Sequence, residues 1–321
     1  MSVYSRGSAR EEARRIFKRI VSTLERIGKK YALLQFPTSY RERSIDLVTV
    51  GGSGSDAVIR IKVGHKVSRD EAGDLSRASL ALDSVPVVVS DDPSLYDNIV
   101  YEKEGVFLMN ERTLENMYLR PNEIIALYRK GSIYLVADKE AIRESRAKRN
   151  MSLGDVAYLT NLTRKTIYMY EREGGIVSVE TAEKLVDVLG SETVKSITLN
   201  VLKNEFLRKA SKSVRSVDSG KVLEVLEPSG DVYPIKKSAP DYIVRGEEIV
   251  TVIDASSKDR FYLPKTAKKV EECVKLSELV DGEVKVLVTP ERKEVLEDEL
   301  STKIDLNKII LQKVKGGTHP E

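Results

Sequence analysis

The 321-residue sequence predicts an α/β fold combined with an all-α one, a central helical module held between two α/β units. Three observations carry this. Residues 139–190 break into four short helical stretches around one small apolar centre. The segments on either side alternate β-type apolar runs with amphipathic helices. The order of elements in the first flank also returns in the second. The expected divisions are a loose polar tail (1–8), an N-terminal α/β domain (9–136), the helical module (137–190), a connecting helix (191–215) and a C-terminal α/β domain (216–321).

In the first flank, Ala13, Ile16, Phe17, Ile20, Val21, Leu24 and Ile27 share one helical face, and Gly28 ends that helix. β-type runs follow at Tyr31–Gln35, Ile45–Val50 and Val58–Val63. The segment Gly51-Gly52-Ser53-Gly54-Ser55-Asp56 between the last two reads as a hairpin tip. A phosphate cradle is the other reading of a glycine-rich loop, but this one opens no helix. Ser68–Leu82 is expected to be helical, Val85–Ser90 and Val106–Met109 to be strands, Glu111–Leu127 a helix broken at Pro121, and Ile133–Val136 a strand.

In the module, the first helix carries Ile142, Arg146 and Arg149 and ends near Asn150-Met151. Ser152, with Asp155 three places on, is an N-cap for the second, where Val156, Ala157 and Leu159 are expected to face inward. Ala157 is small where two helices joined by a tight turn must approach closely. Asn161 falls where the turn needs a left-handed residue, a conformation Asn tolerates. Thr163 caps the third helix, whose first exposed residues are Arg164, Lys165 and Thr166, with Ile167 and Tyr170 pointing inward. A fourth helix opens at Ser178, buries Ala182, Leu185, Val186 and Leu189, and stops at Gly190.

Beyond Gly190, a helix from about Thr193 to Ser211 has an apolar side (Val194, Ile197, Val201, Leu202, Phe206) and a basic side (Lys203, Arg208, Lys209, Lys212, Arg215). The basic side is either a solvated face or a flank touching DNA phosphates. Strands are expected at 222–226, 232–235, 242–244, 249–253, 284–288 and 309–314, with helices at 266–280 and 292–300. SIDLVTV compares with APDYIVR, AVIRIKV with EIVTVID, and the helix before DSVPVVVSDDPS with the helix before DGEVKVLVTPER. This pattern predicts a diverged internal duplication bracketing the module.

Composition sets limits on function. Apolar content of 41% and charged content of 32% describe a globular protein with a highly charged surface. A net charge of only +3 means that nucleic-acid affinity must come from a local basic patch. No apolar run approaches the ~18 residues of a membrane span, and the N-terminus has no apolar signal region, so a cytoplasmic protein without a membrane partner is expected. The single cysteine, Cys273, excludes an internal disulfide, and with only His65 and His319 besides, a structural zinc site is not expected. No cofactor signature stands out, and the sequence names no small-molecule effector. The scarcity of Gln beside plentiful Lys, Arg and Glu leans toward a heat-adapted source.

The stretch SLGDVAYLTNLTRKTIYMYERE followed by SVETAEKLVDVLG resembles the lambda-repressor-like, or Xre-type, helix-turn-helix family. That resemblance implies a third helix facing the DNA major groove with Arg164, Lys165, Thr166, Tyr168 and Met169. It also implies a structural ion pair between Arg146 and Glu171. Two departures stand out: Asn161 replaces the usual turn glycine, and Gly174-Gly175 replaces a polar loop, which leaves the geometry of that loop open.

In the first flank, Asp46, a hairpin, and the strand Arg60-Ile61-Lys62 resemble the core of PD-(D/E)xK nucleases, where carboxylates hold Mg²⁺ and a lysine assists. Arg60 stands where the second carboxylate belongs. In the second flank Asp241 remains, but Asp254 stands at the expected lysine place. Both α/β domains are therefore expected to be degenerate restriction-endonuclease-like folds without catalytic residues, with Asp46 and Asp241 facing solvent or capping turns. The whole arrangement resembles an archaeal family of Xre-type transcriptional regulators. The expected function is sequence-specific double-stranded DNA binding by a homodimeric regulator that is not an enzyme and holds no metal. Ser152, Thr163 and the amides they cap are expected to hold phosphates, with Arg164 and Lys165 as base or phosphate contacts. A nuclease targeted by the module, and a module that binds protein instead of DNA, are the alternatives.

Overall fold

The computed structural model describes residues 6–52, 54–64, 66–120, 123–213, 230–245, 248–252, 262–288 and 290–313. After helix α1 (Arg6–Arg26), strands β1 (Lys30–Leu33), β2 (Leu47–Val50) and β3 (Ala57–Lys62) form an antiparallel meander. Helix α2 (Arg69–Ala81) crosses to β4 (Val85–Ser90), parallel to β3. Then come β5 (Ile99–Lys103), β6 (Val106–Met109), α3 (Glu111–Leu119), β7 (Ala126–Arg129) and β8 (Ser132–Ala137). The module follows as α4 (Lys139–Lys148), α5 (Leu153–Thr160), α6 (Arg164–Glu173), β9 (Gly175–Ser178) and α7 (Val179–Leu189), after which β10 (Val194–Lys195) leads to α8 (Leu199–Ser213).

These strands make one sheet in the order β1-β2-β3-β4-β6-β5-β7-β8-β10, with β9 on the other edge of β8. The glycine-rich loop is a hairpin tip as expected: it turns the carbonyls of Gly51 and Gly54 onto the buried Lys29 ammonium, at 2.6 and 3.2 Å, a cation site by its dipoles.

Four strands, β5, β7, β9 and β10, escape the sequence pattern. The β5–β6 and β7–β8 hairpins turn at Glu104-Gly105 and Lys130-Gly131, where all four residues have φ between 50° and 83°. This is the twist-matched two-residue turn. It lay hidden because Glu and Lys precede the glycines instead of Asn or Asp. Ala126 and Leu127, expected to lie in a helix broken at Pro121, belong instead to β7, which pairs with β5 and β8.

The Gly174-Gly175 pair, whose geometry the sequence left open, starts a strand and not a loop. Gly174 has φ 65° and ψ −143°, backbone open essentially to glycine alone, and a Cβ there would lie 2.8 Å from the Ala137 carbonyl oxygen. Its neighbour then enters β9, which pairs antiparallel with residues Tyr134–Ala137 of β8.

The second sheet, in the order β11 (Val232–Pro234), β12 (Tyr242–Val244), β13 (Glu248–Val252), β14 (Glu283–Val288) and β15 (Ile309–Lys313), repeats two antiparallel pairings followed by two parallel ones. Helices α9 (Tyr262–Val280) and α10 (Pro290–Ser301) make its crossovers. Residues 222–226 lie outside the described residues. One apolar core runs through both α/β units, from Ile16, Ile45 and Leu75 to Ile243, Val270 and Val286, while the module has its own around Ile142, Val156, Ile167 and Leu185.

Helix α8 is not a free basic flank. Lys203 pairs with Asp83 at 2.6 Å, Lys209 with Glu102 at 2.9 Å, and Arg208 with Glu205 at 2.9 Å. Glu205 also receives Arg129 from β7 at 2.9 Å, so the helix is stapled to the sheet by charge. The side chains of Lys212 and Arg215 lie outside those described. Burial acts to raise the Glu205 pKa, but hydrogen bonds from Arg208, Lys209 and Arg129 and the Lys209 charge bring it from 4.5 down to about 2.

A carboxyl depressed on folding stabilises fully above its ordinary pKa, and that contribution is lost as pH falls toward the folded value. Acid unfolding monitored from pH 4.5 to about 2 is therefore expected to be flatter in Glu205→Gln than in the unmodified chain. Gly174→Ala is expected to lower stability by about 1–3 kcal/mol in denaturant titration, since it adds backbone strain at a β8–β9 contact.

Candidate nucleic-acid interface

The module is built on its caps. Asp138 accepts from the backbone N–H groups of Glu140 and Ala141 at the start of α4. Ser152 and Asp155 form a reciprocal capping box on α5: the Ser152 hydroxyl accepts from Asp155 N at 3.1 Å, and Ser152 N donates to the Asp155 carboxylate at 2.7 Å. Asn161 takes the left-handed conformation (φ 53°, ψ 39°) that turns α5 into α6. Thr163 accepts from Thr166 N at 3.0 Å, and the two hydroxyls share a 2.8 Å hydrogen bond. Ser178 caps α7 by accepting from Thr181 N.

Val156, Ala157 and Thr160 form the buried face of α5. Leu159, expected inward, is 54% exposed. One turn of helix from Val156 leads to Thr160, and Thr160 closes the face by donating its hydroxyl to the Val156 carbonyl at 2.7 Å. On α6 Ile167 is fully buried and Tyr170 half-buried, while α7 buries Ala182, Leu185 and Leu189 with Val186 at the margin.

Arg146 on α4 reaches the end of α6. Its Nε and Nη2 donate to the two Glu171 carboxylate oxygens at 2.5 and 3.1 Å, and Nη1 donates to the Met151 carbonyl at 2.8 Å. A planar guanidinium thus ties three segments at once. Its hydrogen bond with Glu171 raises the Arg146 pKa further against a weak opposing effect of burial.

The remaining site residues gather on one surface. Ser152, Thr163, Arg164, Lys165 and Tyr168 are exposed, and Thr166 and Met169 half-buried, along the starts of α5 and α6 and the outer side of α6. Gly154 is the residue the sequence reading missed. A Cβ there would meet the Arg164 guanidinium at 2.3 Å, so Arg164 lies across the N-terminal turn of α5. The Ser152 N–H, the Ser152 hydroxyl and the Arg164 charge hold the Asp155 carboxyl below its ordinary range. Two helix N-termini and a cationic pair therefore share one ledge, with partial positive charge from both helix dipoles.

The nuclease-like site differs from expectation. Asp46 does not face solvent. It is buried, and its carboxylate accepts from Arg60 Nη1 at 2.6 Å, Ile61 N at 2.7 Å and Arg43 Nη1 at 3.1 Å. Arg60 is 2% exposed, donates to the Tyr40 carbonyl at 2.7 Å, and stacks 4.4 Å from the centre of the Tyr40 ring. Lys62 pairs with Glu71 of α2 at 2.7 Å, and Glu71 stands 3.5 Å from Arg60 Nε. In the second unit, Asp241 is half-buried and bound through both oxygens to Lys269 of α9 at 2.6 Å. Asp254 lies outside the described residues. Asp46 and Asp241 thus each meet a cation of the chain itself, and no cluster of three or more His, Cys, Asp or Glu among the described residues is placed to hold a metal ion.

Two family models match the chain. Residues 13–124 match a family model described as a PD-(D/E)XK superfamily domain, and residues 142–195 match one described as helix-turn-helix. A "Putative HTH-type transcriptional regulatory protein" of Sulfolobus acidocaldarius is 31% identical over 213 residues, covering 65% of this chain and 68% of the relative. The chain belongs to this archaeal family. A member from Aeropyrum pernix with the same name is 29% identical over 92% of this chain and 91% of its own length. Another from Saccharolobus islandicus is 26% identical over 86% and 88%. No solved structure matches the chain. No helix among the described residues is long and apolar enough to cross a membrane.

Within this family architecture Arg146 supports the module without facing the ledge. Arg146→Ala is expected to cost about 1–3 kcal/mol in chemical denaturation, because it leaves the mostly buried Glu171 carboxylate unpaired. The base preference recovered by selection from random duplexes should not change.

Proposed function

We propose that this family member is a sequence-specific double-stranded DNA-binding transcriptional regulator that works in the cytoplasm as a homodimer and is not an enzyme. The observation that carries the reading is the ledge of Arg164, Lys165 and Tyr168 at the start of α6, beside the capped N-terminus of α5. An α-helix with its N-terminal side chains free fits the width of the major groove, where Arg and Lys can reach guanine acceptors and Thr or Met can meet a thymine methyl. Ser152 and Thr163 stand at the two helix starts, where backbone amides and hydroxyls suit phosphate oxygens. A single module reads few base pairs, so useful selectivity calls for two modules on a two-fold site.

The nuclease reading is disfavoured by Arg60. A divalent ion at Asp46 would have to displace a buried guanidinium already bound to that carboxylate and stacked on Tyr40. Supercoiled and branched DNA incubated with the protein and Mg²⁺ or Mn²⁺ is expected to remain uncut. Cleavage that disappears in Asp46→Ala would reinstate an enzyme.

Genome-wide selection of bound fragments tests the main reading, with a palindromic motif as the expected result. On that motif, Arg164→Ala and Lys165→Ala are each expected to weaken binding by about 1–3 kcal/mol in titrations at fixed salt. Unchanged affinity in both folded variants would move the interface elsewhere.

A further inference from the structure

The strand registers align the two α/β units residue by residue. Leu47 faces Ile59 in the first, and Tyr242 faces Val250 in the second. Ala57 faces Val85, and Glu248 faces Glu283. Asp46 and Asp241 each stand one residue before the second strand of their sheet. The carbonyl of each accepts from the residue just past the first strand, Leu34 at 2.9 Å and Ile235 at 2.7 Å. This alignment makes Thr251 the counterpart of Arg60, so that by count along the sequence Asp254 corresponds to Val63 and not, as expected, to Lys62; it makes Lys269 the counterpart of Glu71. The cation that neutralises the aspartate has moved from strand to helix, and the helix residue has changed sign with it.

The contacts between the units follow the same alignment. Asp74 on α2 and Glu272 on α9 each lie eleven residues ahead of the strand that follows, and both are fully buried. Asp74 accepts from the backbone N–H groups of Lys236 and Lys237, at 3.1 and 2.8 Å, just past the first strand of the other unit. Glu272 accepts from Gln35 N at 2.7 Å, just past the first strand of its own opposite unit. Three residues further along each helix, Arg77 pairs with Asp74 at 2.6 Å and Lys275 with Glu272 at 3.4 Å. Helix α2 thus packs on β11 and β12, and helix α9 on β1 and β2. A cleft of about 1230 Å³ beside Asp46 is walled by both units, Arg14, Tyr40 and Arg43 from the first and Lys268 from the second.

We propose that this interface is a homotypic dimer interface enclosed in one chain: the two units are diverged copies of one unit, paired about a pseudo-two-fold axis by a reciprocal carboxylate clasp. An isologous interface has this signature, in which residue i of one copy meets j of the other and j meets i. Chance packing of unrelated domains has no reason to place a buried acid at the same register position on each side and aim both at the backbone amide two residues past the first strand, Lys236 on one side and Gln35 on the other. The surface that would join two such units is therefore spent within the chain, and two chains must meet through another face.

The test uses the full chain with a protease recognition sequence inserted between α8 and β11, cut after folding. The two pieces of the otherwise unmodified chain are expected to co-elute. Asp74→Ala and Glu272→Ala are each expected to weaken the association of the cut pieces by about tenfold or more, as loss of charged buried acceptors does. Hydrogen exchange in the uncut variants should cross over, rising at Lys236 and Lys237 in D74A and at Gln35 in E272A. Should either variant misfold, D74N and E272Q, which keep shape and one acceptor oxygen, replace them, with the same crossed pattern expected. Separation of the pieces on cutting, or exchange changes confined to the substituted unit, overturns the clasp. Weakening by one substitution only overturns the two-fold equivalence.

Discussion

A strand inside a protein must satisfy hydrogen-bonding groups along both edges, and β8 does so with three different partners. Residues 132–134 pair with β7 and residues 136–137 with β10 along one edge, while residues 134–137 pair with β9 along the other. Because β9 lies between α6 and α7, and β10 lies just after α7, the module is sewn to the sheet at its start, its middle and its end. An unpaired buried N–H or C=O is costly. The helices that face the candidate DNA ledge are therefore fixed in orientation by the main chain of the α/β domain. Gly174 makes this possible by turning from helix to strand against the Ala137 carbonyl, where no other residue fits.

Charge follows a consistent logic across the molecule. Basic side chains that a linear reading offers to a nucleic acid are mostly spent internally: Lys203, Arg208 and Lys209 staple α8 to the sheet, and Arg146 clamps α6. Arg164 and Lys165, exposed at the surface of the module, sit where two helix dipoles add to them. This reconciles a small net charge with a focused basic ledge.

Much of the module could be read from the chain because its determinants are local. Ser152 with Asp155, Asn161 and Thr163 act on neighbours within three or four residues, and so they declare themselves in sequence. Most strands of the two sheets were visible for the same reason, as apolar runs of the right length. The missed strands, β5, β7, β9 and β10, are short and owe their conformation to partners far along the chain. Leu159 is apolar yet exposed because the buried face runs from Val156 to Thr160, whose hydroxyl disguises its inward place. The burial of Asp46 was not legible because Arg60 and the Ile61 amide reach it from β3, a different segment from the loop that supplies Arg43. Gly154 had no signal, since its role is to leave room for Arg164 from the next helix.

Arg60 has a consequence for how the protein meets its surroundings. A carboxylate site closed by a divalent ion ties part of a domain's stability to the free concentration of that ion, and depletion or exchange of metal then becomes a structural event. A guanidinium supplied by the strand itself is present once per chain under every condition and cannot be chelated, diluted or replaced by a competing ion. At Asp46 of the N-terminal unit that closing charge is the side chain of Arg60, supplied by the chain itself.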